Sequence, residues 1–178
     1  SLVGSEMCIR DRPQPCGLGA PFAQPRQRGA LGGVNTRAFG SGRPVSLFTL
    51  GTMRALNSAA QMAEVLDAAA AAGINHLETA PAYGPAERFL GEALRQNSRT
   101  GSDHWVITSK LLPGLSFEEG QRRLDQILER LGCPQLDNLA VHGINREEHL
   151  NWALVGDGSK LLDPVSYTHL RAHETVSD

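Results

Sequence analysis

Ile74-Asn75-His76-Leu77-Glu78-Thr79-Ala80-Pro81-Ala82-Tyr83-Gly84 runs from a short apolar strand into a loop that presents a carboxylate and a phenol five residues apart. Two further polar groups stand at strand exits of the same kind. Lys110 closes Trp105-Val106-Ile107-Thr108-Ser109-Lys110, and His142 closes Leu139-Ala140-Val141-His142. An acid, a phenol, an amine and an imidazole at the ends of consecutive parallel strands share one rim, which is where a barrel enzyme builds its site. A lysine that ends an otherwise apolar strand also needs a counter-charge, and Glu78 on the neighbouring strand can supply it.

Outward from that stretch the pattern is regular. Val45 to Leu50 is a short β-prone run closed by Gly51. Ser58 with Gln61 signals a helix start, Met62, Val65, Leu66, Ala69 and Ala72 fall on one helical face, and Gly73 stands where a left-handed cap is wanted. The second strand is Ile74 to Glu78. Pro85 opens a helix with Phe89, Leu90, Ala93 and Leu94 as its buried stripe. Trp105 to Ser109 is the third strand. Ser116 and Glu119 start a helix carrying Leu124, Ile127, Leu128 and Leu131, which Gly132 stops. Leu136 to Val141 is the fourth strand, and a last helix is expected from near Asn145, with Glu148, Leu150 and Leu154.

The order β-α-β-α-β-α-β-α, with strands apolar almost throughout, predicts a parallel sheet with right-handed helical crossovers and both faces covered. Four such units are half of a (β/α)8 barrel, which needs about 250 residues. A doubly wound sheet is the competing architecture, but it calls for a glycine-rich first turn. Gly51-Thr52-Met53-Arg54-Ala55-Leu56 has no such pattern, so the fold class is an α/β, TIM-type barrel, incomplete.

The 178 residues carry a formal charge of -2, 40% hydrophobic and 20% charged residues. That balance is ordinary for a globular chain and suits neither nucleic acid nor a membrane surface as partner. No apolar run approaches the roughly 20 residues of a membrane helix, and no secretory leader is visible. Cys8, Cys16 and Cys133 form no CxxC pair, so a disulfide framework or metal site is unsupported and a cytoplasmic setting is the default. Residues 1–34 hold Pro13, Pro15, Pro21 and Pro25 with no sustained period, and are expected to lack the apolar surface for folding. The ends, Ser1 to Arg12 and Val165 to Val176, resemble translated sequencing-adapter strings and are set aside as processing scars are. The organisation is therefore an adapter-like or disordered segment 1–34, a half-barrel 35–163 and an adapter-like tail 164–178. The pattern stops where the tail starts, so the chain reads as truncated and inactive by itself.

At the polar residues the chain resembles a known family. Gly73 to Leu94, with Glu78-Thr79-Ala80-Pro81-Ala82-Tyr83-Gly84, Glu87 and Leu90-Gly91, is similar to the first signature of the aldo-keto reductases. Ile107-Thr108-Ser109-Lys110 resembles that family's lysine strand and Leu139-Ala140-Val141-His142 its histidine strand. Spacing agrees, with 27 residues from Tyr83 to Lys110 and 32 from Lys110 to His142. The departure is Glu78, where the family usually has aspartate, so its contact with Lys110 must be rearranged. His142-Gly143-Ile144-Asn145 resembles a branch whose members often carry a C-terminal iron–sulfur segment.

The resemblance implies reduction of a small-molecule carbonyl with NADPH, without nucleic acid or membrane as partner. Tyr83 is then the general acid, Lys110 its charged neighbour, Glu78 the counter-ion of Lys110 and His142 the group that orients the carbonyl oxygen. Thr52 and Met53, at the first strand's exit, are the implied cofactor contacts. A free phenol, with a pKa of about 10, exchanges protons poorly near neutrality, and an adjacent ammonium favours the phenolate. The alternative is a barrel that has lost catalysis and serves as a binding or regulatory subunit, which fold alone does not exclude. His76 reads as structural, Trp105 and Trp152 as packing, Arg122-Arg123 as a solvated helix face, and His104, His149, His169 and His173 as lacking metal spacing.

Overall fold

The computed structural model describes residues 35–39, 43–54, 57–96 and 104–162. The expected segments 1–34 and 164–178 lie outside the described residues. A two-stranded antiparallel ribbon, β1 (Thr36–Arg37) and β2 (Val45–Ser46), precedes a parallel sheet. That sheet is β3 (Thr49–Gly51), β4 (His76–Glu78), β5 (Val106–Leu111) and β6 (Asn138–Val141), in the order β3-β4-β5-β6. Helices α1 (Ala59–Ala71), α2 (Ala86–Gln96), α3 (Phe117–Leu131), α4 (Glu147–Leu154) and α5 (Asp157–Leu161) alternate with or follow the strands.

The strand order never reverses, so successive right-handed crossovers carry the helices to one side. A doubly wound sheet reverses its order at a switch point. The barrel-type reading holds: these are consecutive β/α units of a TIM-type wall.

Helix ends follow the sequence signals. The Ser58 hydroxyl accepts the Gln61 N–H at 3.1 Å and the Ser116 hydroxyl that of Glu119 at 3.2 Å. At the end of α1, Gly73 adopts a left-handed φ of 82°, and its N–H and that of Ile74 bond back to Ala70 and Ala69. This double closure turns the chain directly into β4. Helix α2 begins at Ala86, with the Pro85 carbonyl accepting the N–H of Phe89 at 3.0 Å.

The core lies between the helices and one face of the sheet. Met62, Leu66, Leu90, Leu124, Ile127 and Leu128 pack on Leu77, Ile107, Leu111 and Leu139, all essentially buried. Gly91 lets α2 and α3 touch backbone to backbone, since a Cβ there would stand 2.1 Å from the Arg130 carbonyl oxygen.

Several expectations are corrected. The run Val45 to Leu50 is two strands in different sheets, because the exposed Leu47-Phe48 turn redirects the chain from ribbon to parallel sheet. The strands are also not apolar on both faces. On the face away from the helices, His76 lies between the hydroxyls of Thr49 (2.9 Å) and Thr108 (2.8 Å), with the Phe39 ring 5.0 Å from its own. Period-two alternation hid this layer, because threonine and alanine suit a strand on either face. In α4, which starts at Glu147, Leu150 and Leu154 are exposed, and the buried contacts come from Ala153 and Trp152. The Trp152 indole donates to the Leu115 carbonyl at 2.6 Å. Helix α5 was not expected. It brings Leu161 against Gly120, where an added Cβ would meet the leucine at 2.2 Å. No helix among the described residues is long and apolar enough to cross a membrane.

Candidate active site

Register builds the site. Glu78 pairs with Thr108, so Lys110, two residues further along β5, points from the same face one step nearer the carboxyl end. The Glu78 carboxylate and Lys110 ammonium are in direct contact through Oε1, each side chain 18% exposed. Tyr83 comes from a single 3-10 turn, Pro81–Tyr83, closed by its N–H to the Ala80 carbonyl at 3.0 Å. Its hydroxyl donates to Glu78 Oε1 at 3.1 Å and accepts from Lys110 Nζ at 2.9 Å. The His142 ring stands edge-on to the Tyr83 ring, 5.6 Å between centroids, and its backbone N–H extends the β5–β6 pairing to Leu111. All four groups expected at the rim lie together.

Electrostatics follow from that packing. Burial opposes charge on Lys110, but its hydrogen bonds to Glu78 and Tyr83 outweigh that penalty and raise its pKa above the ordinary lysine value. Burial lowers the pKa of His142, the Lys110 charge lowers it further, and Glu78 only partly offsets both. His142 is therefore a neutral imidazole at neutral pH. Burial likewise lowers the pKa of His76, against the attraction of Glu78.

Thr52 is buried beside the site: its N–H bonds the Glu78 carbonyl at 3.0 Å and its hydroxyl donates to Thr79 at 2.9 Å. Met53 is half-exposed at the exit of β3. Behind the sheet, the Ser109 hydroxyl donates to Glu87 Oε1 at 2.7 Å, and Arg130 Nε meets Glu87 Oε2 at 2.8 Å. Glu87 is fully buried. The sequence held a signal for this: Glu87 lies three and seven residues before Leu90 and Leu94, on the apolar stripe of α2, where a carboxylate needs a partner.

A cavity of about 250 Å³ opens beside the rim, and Lys110, His142, Leu112, Leu115 and Arg123 are among the residues that line it. Arg123 is thus more than part of a solvated helix face. No group of three or more His, Cys, Asp or Glu among the described residues could hold a metal ion.

The family model of the aldo/keto reductases matches residues 47–167. The chain belongs to the aldo/keto reductase family. A solved aldo-keto reductase from Pseudomonas aeruginosa is 31% identical over 71% of this chain and 54% of its own, with a TM-score of 0.60. A second structure from that organism gives 30% identity at the same coverage and TM-score. The holo form of an aldo-keto reductase from Bacillus halodurans shares the fold, with a TM-score of 0.58, at 21% identity over 69% of this chain and 45% of its own. The chain spans about half the length of these solved relatives.

Proposed function

We propose that the protein reduces small aldehydes or ketones to alcohols with NADPH, and that Tyr83 is the proton donor. The observation that carries this reading is the Tyr83 phenol, bonded to both Lys110 and Glu78 at the strand rim with His142 beside it. This donor set can deliver a proton but has no hydride source of its own, which fits a nicotinamide partner; that cofactor supplies the hydride when bound.

Tyr83 gives its proton to the carbonyl oxygen as that oxygen gains charge. Lys110 keeps its ammonium against burial through Glu78, and so holds positive charge beside the phenol as the proton leaves. Neutral His142 donates one N–H to the carbonyl oxygen and fixes its approach. Met53 offers an exposed apolar surface at the rim for the cofactor, and Thr52 supports that wall from within. A cytoplasmic setting belongs to the same proposal. An iron–sulfur segment, implied by the branch resemblance, would draw on none of these rim residues.

The test is NADPH consumption with a panel of aldehydes and ketones, using the protein expressed from its complete gene. Turnover that Tyr83→Phe abolishes supports the reading. Turnover that survives the exchange unchanged, or no turnover with any carbonyl, overturns it.

A further inference from the structure

The cavity beside Lys110 and His142 is chemically lopsided. Lys110 and His142, the groups assigned to the reacting carbonyl, are part of its lining. Its walls are apolar: Leu115, and Leu112, which is 56% exposed although it is a leucine. Exposed apolar surface at the mouth of a site marks where a ligand's apolar part lies. A guanidinium, Arg123 of α3, adds a single charge to this lining.

Arg123 is held without being used up. Its Nε bonds Glu119 Oε1 at 2.8 Å, while the other carboxylate oxygen of Glu119 takes Arg122 at 2.5 Å. One carboxylate therefore serves two guanidiniums. A terminal nitrogen of Arg123 reaches Gln126 only at 3.5 Å, which is a weak contact. If Arg123 turns to a new anion, Arg122 still neutralises Glu119, so the exchange strands no charge. A guanidinium fork suits a carboxylate, which it can bind through two parallel hydrogen bonds.

We propose that Arg123 is an anion-recognition residue of this cavity, and that the preferred substrate is a small carbonyl compound carrying a carboxylate at the far end of a short apolar body. This rests on the proposed reductase reading and specifies its substrate class. The volume of about 250 Å³ lies below the roughly 300–1,000 Å³ of typical ligand pockets, which sets the body at about one ring or a short alkyl chain.

The experiment uses the protein from its complete gene, with 4-carboxybenzaldehyde and 4-methylbenzaldehyde as paired substrates and 4-carboxybenzyl alcohol as a calorimetric ligand. Wild type should prefer the carboxylate substrate. Arg123→Ala should lower kcat/KM for it about tenfold or more, through KM, and weaken the alcohol's binding equally. The methyl substrate should be unaffected in Arg123→Ala and in Arg122→Ala, whereas Arg122→Ala should weaken carboxylate recognition less than Arg123→Ala does, because Arg123 must then leave Glu119 without a partner. Glu119→Gln, which removes the competing carboxylate, should tighten binding of the carboxylate ligand. That gain cannot come from a misfolded variant.

Equal handling of both aldehydes by wild type and Arg123→Ala overturns the inference and leaves the reductase reading standing. An Arg123→Ala variant that loses NADPH affinity as much as carboxylate affinity overturns it too, since the guanidinium then serves the cofactor. If no aldehyde is turned over, the reductase reading fails. Calorimetry then decides the anion site alone, with binding sensitive to Arg123→Ala supporting it and absence of binding overturning it.

Discussion

Tyr83 donates its phenolic hydrogen to Glu78 across 3.1 Å, and does so to the same carboxylate oxygen that holds the Lys110 ammonium. The proposed proton donor and the counter-ion of Lys110 are therefore in direct contact. One oxygen of the longer glutamate side chain reaches both groups.

Replacing Tyr83 by Phe keeps the ring against His142 and removes the proton donor. Turnover should fall about 10²–10⁴-fold, with cofactor affinity little changed. The same exchange removes one of the two hydrogen bonds that raise the Lys110 pKa. The pH dependence of Lys110 reaction with an amine reagent should consequently shift to lower pH. An unshifted profile would mean that Glu78 alone sets the ammonium.

Glu78→Asp should retain charge and most activity, whereas Glu78→Leu leaves Lys110 with burial opposed by Tyr83 only. Breaking a buried pair costs roughly 3–5 kcal/mol, and with each partner 18% exposed the loss should fall below that range. The sign of the pH dependence is fixed by the raised folded-state pKa of Lys110. Its stabilisation is fully present below the unfolded value of 10.5 and is lost as pH rises through the folded value. Urea unfolding at pH 8 should thus separate wild type from Glu78→Leu, and the gap should narrow above about pH 10.5.

His76 works in the opposite window. Burial lowers its folded-state pKa below the unfolded 6.5, so its neutral form stabilises the fold above that pH, and stability drops as pH falls through the folded value. Protonation also forces both ring nitrogens to donate, which the two threonine hydroxyls can accept only by reorienting. His142 has the same sign and contributes to the same decline. Thermal unfolding between pH 7 and pH 5 should be less pH-dependent in His76→Asn than in wild type. An unchanged slope would assign the decline to other groups.

Of the sequence reading, the parts tied to backbone periodicity and caps are legible: the order of strands and helices, Ser58, Ser116, Gly73 and the parallel sheet. Glu78, Tyr83, Lys110 and His142 are legible because strand exits place polar groups on one rim whatever the side-chain packing. What escaped depends on contacts between segments distant in sequence. The ribbon of β1 with β2 joins segments separated by Gly40-Ser41-Gly42, a loop signal that says nothing of which short runs will pair. Leu150 and Leu154 have helical spacing, yet Trp152 takes the packing position because its indole finds the Leu115 carbonyl. Arg123 of α3 borders the cavity together with Leu112 and Leu115; Pro113-Gly114 marks the turn between them, but not which helical side chain it meets.

The Glu87 pair offers a stability test away from the rim. Arg130→Met should strand a fully buried carboxylate, and with the Arg130 side chain 34% exposed the cost should fall toward or below the low end of the about 3–5 kcal/mol for a buried pair. Ser109→Ala removes one neutral donor and should cost about 1–2 kcal/mol, charge assistance included. Chemical denaturation should rank the two variants in that order. Equal losses would mean the ion pair adds nothing beyond the hydroxyl contact.

Glu87 also has a consequence for how the fold can be retargeted. Ser109, the outward neighbour of Lys110, is bolted through Glu87 to both α2 and α3, whose backbones meet at Gly91. The amine is thereby fixed by the scaffold behind the sheet, whereas Leu112 and Leu115 stand on the loop between β5 and α3, outside that linkage. Residues that choose a substrate can be exchanged while the amine stays where it is. The loop can thus be altered apart from the amine, and a library confined to Leu112 and Leu115 should change which carbonyl is taken while leaving the proposed proton donor in place.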